Sequence, residues 1–157
     1  MYPFFIALSI INVIKALCSF AISPLRTANL EPANLAANSV YIICTDAADP
    51  AIIAKADLAL PYESPVHYNG NDAIAIFGID GSGNFTVIMD VIGVQSSDPG
   101  PAGWNVAGVI GATKDHTLVR KSSISKGNTN WENSAGTSVS DSEWEVKDID
   151  DWTSLGT

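Results

Sequence analysis

The chain has 157 residues, enough for one ordinary domain but not for two large ones. Apolar residues make up 46% of it, which supplies a core and excludes global disorder. Eight basic residues against 17 acidic ones give a net charge of −9, which argues against nucleic-acid binding by phosphate neutralisation.

The amino-terminal segment, residues 1–23, is apolar, and Lys15 is its only charge. The 14 uncharged residues before Lys15 fall short of the roughly 20 needed to span a bilayer as a helix. A signal peptide or membrane-anchor-like helical segment fits the length better. It would have an apolar stretch at Phe4–Ile14 and small residues at Ser19 and Ala21 before a cut. No Lys or Arg precedes the apolar stretch, and Lys15-Ala16-Leu17-Cys18 is a poor lipoprotein site. A genuine membrane helix, a mis-started reading frame and a helix that packs on the domain are the other readings. The expectation that follows is a secreted or membrane-associated protein, with membrane contact through residues 1–23. Residues 24–34 read as a linker.

Ser39–Thr45 is a β-branched and aromatic run and predicts a buried strand. Cys44 lies in it, and two cysteines, Cys18 and Cys44, do not make a disulfide framework. Asp49 before Pro50 predicts a short helix, because a capping carboxylate precedes proline at the first helical position. Ala73–Ile79 and Phe85–Val94 predict two strands of a hairpin, joined by the turn residues Asp80-Gly81-Ser82-Gly83-Asn84. Ser96–Gly103 predicts a rigid loop, and His116–Lys121 a short strand. Between Ser122 and Ser142, 14 of 21 residues are Ser, Thr, Asn or Gly, so that stretch reads as a loop needing an anchor, for which Trp131 is the candidate. Ser142–Lys147 predicts a last strand with Trp144 and Val146 on one face. The pattern is all-β with one short helix, a sandwich or a barrel.

The candidate chemistry is sparse. His67 and His116 lack a nucleophile elbow or a cysteine-protease signature around them. No C-x-x-C, H-x-H or H-E-x-x-H spacing suggests a metal, and no catalytic, cofactor-binding or metal-binding residue is assigned. Asp80-Gly81-Ser82-Gly83-Asn84 begins like a calcium loop, but Phe85 replaces its glycine and Val91 its bidentate glutamate. Asp148-Ile149-Asp150-Asp151 reads as a solvated acidic face. His116, Arg120, Lys121 and Lys126 form a weak basic cluster in which Arg120 is expected to pair with a carboxylate. Trp104, Trp131, Trp144 and Trp152 are expected to pin loops onto sheets, with a binding patch as the alternative. Asn84-Phe85-Thr86 is a glycosylation sequon, usable only in a eukaryotic secretory route.

From Leu35 to the end the chain resembles the bacterial-type lamin tail domain. The resemblance is carried by Leu35–Ile43, Tyr68–Ile76, Asp90-Val91-Ile92-Gly93, and Asp98-Pro99-Gly100 with Trp104. It continues through His116–Lys121, Gly127-Asn128 with Trp131, and Ser142-Glu143-Trp144. It implies an immunoglobulin-like β-sandwich over residues 35–157. It further implies a non-catalytic interaction or spacer module of a secreted or surface protein, with a protein or an extracellular polymer as partner. An accessory domain cut from a secreted nuclease or phosphatase, and a calcium-dependent adhesion module, are the rival expectations. Family members open with two strands that residues 1–34 do not match, so a domain lacking its first strands is expected. Five strands are predicted in all, fewer than the roughly seven such a sandwich needs.

Overall fold

The computed structural model of the chain describes residues 5–9, 16–20, 26–30, 39–82, 84–95 and 97–157. It is mostly strands in small sheets, with three helices of four or five residues. The first sheet joins β1 (Phe5–Ser9), β4 (Val40–Thr45) and β5 (Leu58–Leu60) in the order β1-β4-β5. The second joins β3 (Arg26–Asn29), β2 (Ala16–Phe20), β6 (Ala73–Ile79) and β7 (Phe85–Ile92) in the order β3-β2-β6-β7. The third is a ribbon of β8 (Thr117–Arg120) and β9 (Trp144–Lys147).

The expectation of an apolar helical segment at the amino terminus is corrected. Phe5–Ser9 pairs antiparallel with β4, and Ala16–Phe20 pairs antiparallel with β6. The physical reason lies in the partners. A run rich in Phe, Ile and Leu suits either state, and the open edges of β4 and β6 offer it a ladder. The strand count is corrected with it: nine strands are described, and β1, β2 and β3 precede β4 where none was predicted. Ala21, most of the linker at 24–34 and Leu35–Asn38 lie outside the described residues.

The five predicted strands are all present within a residue or two of their predicted ends. So is the short helix, α1 (Pro50–Ile53), where Asp49 accepts a 2.8 Å bond from the Ala51 N–H. Two further short helices, α2 (Ala112–Asp115) and α3 (Trp131–Ala135), were not predicted.

Alternation along β4 sends its side chains to two different clusters. Tyr41 and Ile43 meet Ile74 and Ile76 of β6 and Val66, in a cluster that draws on both larger sheets. Ile42 and Cys44 meet Ile52 of α1 and Leu155 near the carboxyl terminus. A third cluster gathers Trp131, Trp144, Val106 and Ala112 under the ribbon.

The hairpin turn is held by Asp80. Its N–H donates to the Asn84 carbonyl (2.9 Å), and its Oδ1 accepts from the N–H groups of Ser82 (2.8 Å) and Asn84 (2.9 Å). β7 is the edge strand of its sheet, and its pairing with β6 shifts register twice, between Ile76 and Phe77 and between Gly78 and Ile79. Such bulges bend an edge and discourage further pairing.

Candidate functional site

The strongest polar constellation joins the edge of the second sheet to the ribbon. Arg120, at the end of β8, donates from Nη2 to both carboxylate oxygens of Asp90 on β7, at 2.9 and 3.0 Å. Its Nη1 donates to Glu143 Oε2 at 2.8 Å. The guanidinium carbon sits 4.2 Å from the centre of the Trp144 ring, so its plane has an aromatic floor as well as two anions. Glu143 also accepts from Asn128 Nδ2 (2.8 Å) and Ser134 Oγ (3.2 Å). Asp90 also accepts from the N–H groups of Asn128 (2.9 Å) and Val91 (3.0 Å). Burial pushes the Asp90 carboxyl above the usual aspartate range, and Arg120 and the two N–H donors oppose that shift.

Beside this network lies a depression of about 480 Å3. Ser123, Ser125, Lys126, Asn128, Thr129 and Glu143 line it. Ile124 and Gly127 complete the lining, so its rim sets hydroxyls, an amide and one charge of each sign around an apolar side chain. Such a rim can hydrogen-bond a hydroxylated or peptide-like surface.

The predicted basic cluster is not a free patch. Arg120 is paired as above, Lys121 Nζ donates to the Val139 and Ser142 carbonyls (2.5 and 2.6 Å), and His116 Nδ1 bonds the Lys147 carbonyl (3.0 Å). A carbonyl can only accept, so His116 Nδ1 is the donor in this bond. The other histidine, His67, bonds Thr45 Oγ1 through Nε2 (2.8 Å) and Ser64 Oγ through Nδ1 (3.3 Å). Cys44 sits fully buried in the α1 cluster. Burial, with Asp46 adding to it, pushes its thiol up, which keeps it protonated and weakly reactive.

The calcium-like loop uses its first carboxylate, Asp80, to close the hairpin turn. In the acidic tail, Asp151 Oδ1 accepts from the Thr153 N–H (3.0 Å) and hydroxyl (2.6 Å), which holds its carboxyl below the usual range. Among the described residues no group of three or more His, Cys, Asp and Glu could hold a metal ion. Among the same residues no helix is long and apolar enough to cross a membrane.

The tryptophans act as pins. Trp131 and Trp144 are 5% and 7% exposed with ring centres 6.4 Å apart, and Trp144 Nε1 donates to Ser134 Oγ at 2.8 Å. Trp131 begins α3 and so anchors the Ser122–Ser142 stretch, as expected. Trp152 packs against the α1 cluster, with Lys55 Nζ 5.8 Å from its ring centre. Trp104 is half-buried; its backbone N–H donates to Thr113 Oγ1 (2.8 Å), while its indole Nε1 is buried without a hydrogen-bond partner among the described residues.

Residue-by-residue reading missed the partners. Sequence alone gives Asp90 and Asn128 no role and Glu143 only a place on the strand face opposite Trp144. The one available signal was an acid inside an apolar strand, Phe85–Val94, which demands a cation somewhere. Asp141 was missed as well. It accepts from the N–H and hydroxyl of Thr137 (3.1 and 2.9 Å) and of Ser138 (2.7 and 2.8 Å). These bonds hold its carboxyl far below the usual range. Hydroxyl residues three and four positions before an acid were the legible hint.

Comparison of the chain with protein-family models, with curated proteins and with solved structures found no match.

Proposed function

We propose that the chain is a non-catalytic interaction or spacer module, an immunoglobulin-like β-sandwich of the lamin-tail type. It works on the extracellular side and contacts a protein or an extracellular polymer. The observation that carries this reading is the use of the polar groups. Arg120, Asp90, Glu143 and His116 each hold one loop or strand to another, Asp141 closes its own loop, and a general base or nucleophile needs a group poised towards a substrate instead. The hydroxyl-rimmed depression beside Glu143 is the contact surface that best fits a hydroxylated polymer or a peptide backbone.

Saturable binding of the purified chain to insoluble extracellular polysaccharides and matrix proteins tests the reading. Binding that weakens at least tenfold in Ser125→Trp, a variant that fills the depression from an exposed position, is expected. Turnover of a phosphodiester or a phosphomonoester by the purified chain would overturn it.

A further inference from the structure

We propose that Asn84 is an N-glycosylation site and that its glycan covers the exposed apolar part of the β7 edge. The proposal rests on the secretory reading given above, because the modification requires a eukaryotic secretory compartment. Asn84-Phe85-Thr86 has the required Asn-x-Thr form. The fold puts Asn84 at the exposed end of the β6–β7 hairpin and Thr86 two residues along, also exposed. Among the described residues the Asn84 amide nitrogen reaches across the turn, to Asp80 Oδ2 at 3.1 Å and Oδ1 at 3.4 Å. The Asp80 N–H bond to the Asn84 carbonyl and the Asn84 N–H bond to Asp80 Oδ1 keep the turn closed without that amide. Rotating the Asn84 side chain towards an enzyme therefore leaves the turn intact.

The chemistry balances without an oxidant. The donor is an oligosaccharide linked through pyrophosphate to a lipid, and a membrane oligosaccharyltransferase catalyses the transfer. The Asn84 Nδ2–C bond to the anomeric carbon forms, the bond from that carbon to the pyrophosphate oxygen breaks, and Nδ2 loses one proton. The second Nδ2 proton remains, so the glycosylated side chain can still donate to Asp80.

A second observation gives the glycan a role. Val87 and Ile88 are 57% and 37% exposed, and they lie on the edge strand of their sheet within four residues of Asn84. An exposed apolar edge invites pairing with another chain, and natural edges are blunted by charge, proline, bulges or cover. The run from Phe85 to Met89 has neither charge nor proline, and the two bulges that discourage backbone pairing there leave the Val87 and Ile88 side chains exposed. Gly127 lies so close to the Met89 carbonyl that a Cβ there would collide with it, so the 121–130 loop covers one end of the strand. A glycan on Asn84 would cover the other.

Expressing the full chain in eukaryotic cells, once with its own amino terminus and once behind a heterologous cleavable signal, tests the site. Mass spectrometry after peptide N-glycosidase reads conversion of Asn84 to Asp. Glycosylation behind the heterologous signal is expected, with complete loss of the glycan in Asn84→Gln and in Thr86→Ala and its retention in Thr86→Ser; the form with its own amino terminus, where Phe5–Ser9 and Ala16–Phe20 are strands of the sheets, tests the secretory reading separately. Glycosylation only behind the heterologous signal would uphold the site and overturn the secretory reading. An unmodified Asn84 behind that signal would overturn the site. Native removal of the glycan is expected to leave the melting temperature within a few degrees and to increase self-association. Unchanged self-association would overturn its covering role.

Discussion

The two larger sheets and the carboxyl-terminal ribbon are held together by different physics. Between the sheets the contacts are apolar side chains on alternating positions: Ile43 at 0%, Val66 at 1% and Ile74 at 3% exposure, with Ile76 beside them. Around the ribbon the apolar cluster is smaller-grained, with two tryptophans among alanines, and specific polar bonds complete it. Arg120 bridges Asp90 and Glu143, Asp141 ties down Thr137 and Ser138, and Lys121 ties down two carbonyls. An apolar layer tolerates substitution in proportion to the volume lost. A polar network fails when one member leaves, because its partners stay desolvated without a bond. The first half should therefore respond to volume, and the second to the identity of single residues.

The largest expected effect sits in the ribbon. Trp131→Ala should cost about 3–5 kcal/mol, since Trp131 is nearly buried and is the apolar anchor of a stretch poor in other apolar residues. Denaturant unfolding reads the loss. Hydrogen exchange should localise it to β8, β9 and α3, leaving β4 and β6 protected. Equal deprotection of both halves would erase the distinction between them. Next comes the matching test in the sheets. Ile43→Ala should cost about 2–5 kcal/mol, and Ile43→Val only about 0.5–1.5 kcal/mol, the graded pattern of a volume-limited site.

Arg120 separates the two kinds of cohesion most sharply. Arg120→Ala leaves Asp90 and Glu143 facing each other without their cation. Its side chain is 18% exposed, so water screens part of the loss, and about 2–3 kcal/mol is expected where a fully buried pair would lose 3–5. Arg120→Lys keeps the charge but not the fork or the stack on Trp144, and should recover less than half of that loss. Full rescue by lysine would mean that charge alone holds the ribbon, against the geometric reading. Thermal unfolding of the three proteins decides it.

This contrast also explains what the sequence showed and what it hid. Compact β-branched and aromatic runs set between turn residues announce a strand from the chain's own residues, as alternation does for β9, so β4, β6, β7, β8 and β9 were all legible. The Asp49-Pro50 pair announced α1 for the same reason, because a cap and its helix are neighbours in the chain. Arg120 was expected to find a carboxylate, but Asp90 lies 30 residues before it and Glu143 23 residues after, and no local pattern encodes such distances. The amino-terminal strands were hidden by composition. Phe5–Ser9 and Ala16–Phe20 carry no alternation, and their state is decided by β4 and β6, which supply the missing partners. The Gly70 contact was hidden too. At φ +94° its carbonyl takes a 2.6 Å bond from Thr113 Oγ1, 43 residues away, and a side chain there would collide with the Lys114 backbone.

The smallest expected effect is also the most discriminating, because two carboxylates of the ribbon region should titrate in opposite senses. The Asp141 carboxyl is held below its unfolded value by the hydroxyls and N–H groups of Ser138 and Thr137. Its contribution to stability is therefore present above about pH 3.9, the unfolded aspartate value, and is lost as the pH falls through its folded value. Asp90 is raised above that value by burial, so the folded state takes up its proton more readily than the unfolded state does. Its contribution runs the other way: acidification from neutral pH through its folded value adds stability, and below about pH 3.9 that gain is complete. Carbon-detected NMR titration of the side-chain carboxyls should place the Asp90 midpoint above those of the exposed aspartates and the Asp141 midpoint below them. Asp141→Asn should lower stability at neutral pH, where the carboxylate's bonds are fully present, and so flatten the acid limb of the stability curve. An Asp90 midpoint below the exposed aspartates would mean that Arg120 outweighs desolvation, and the ribbon would then owe more to its ion pairs than to the packing around them.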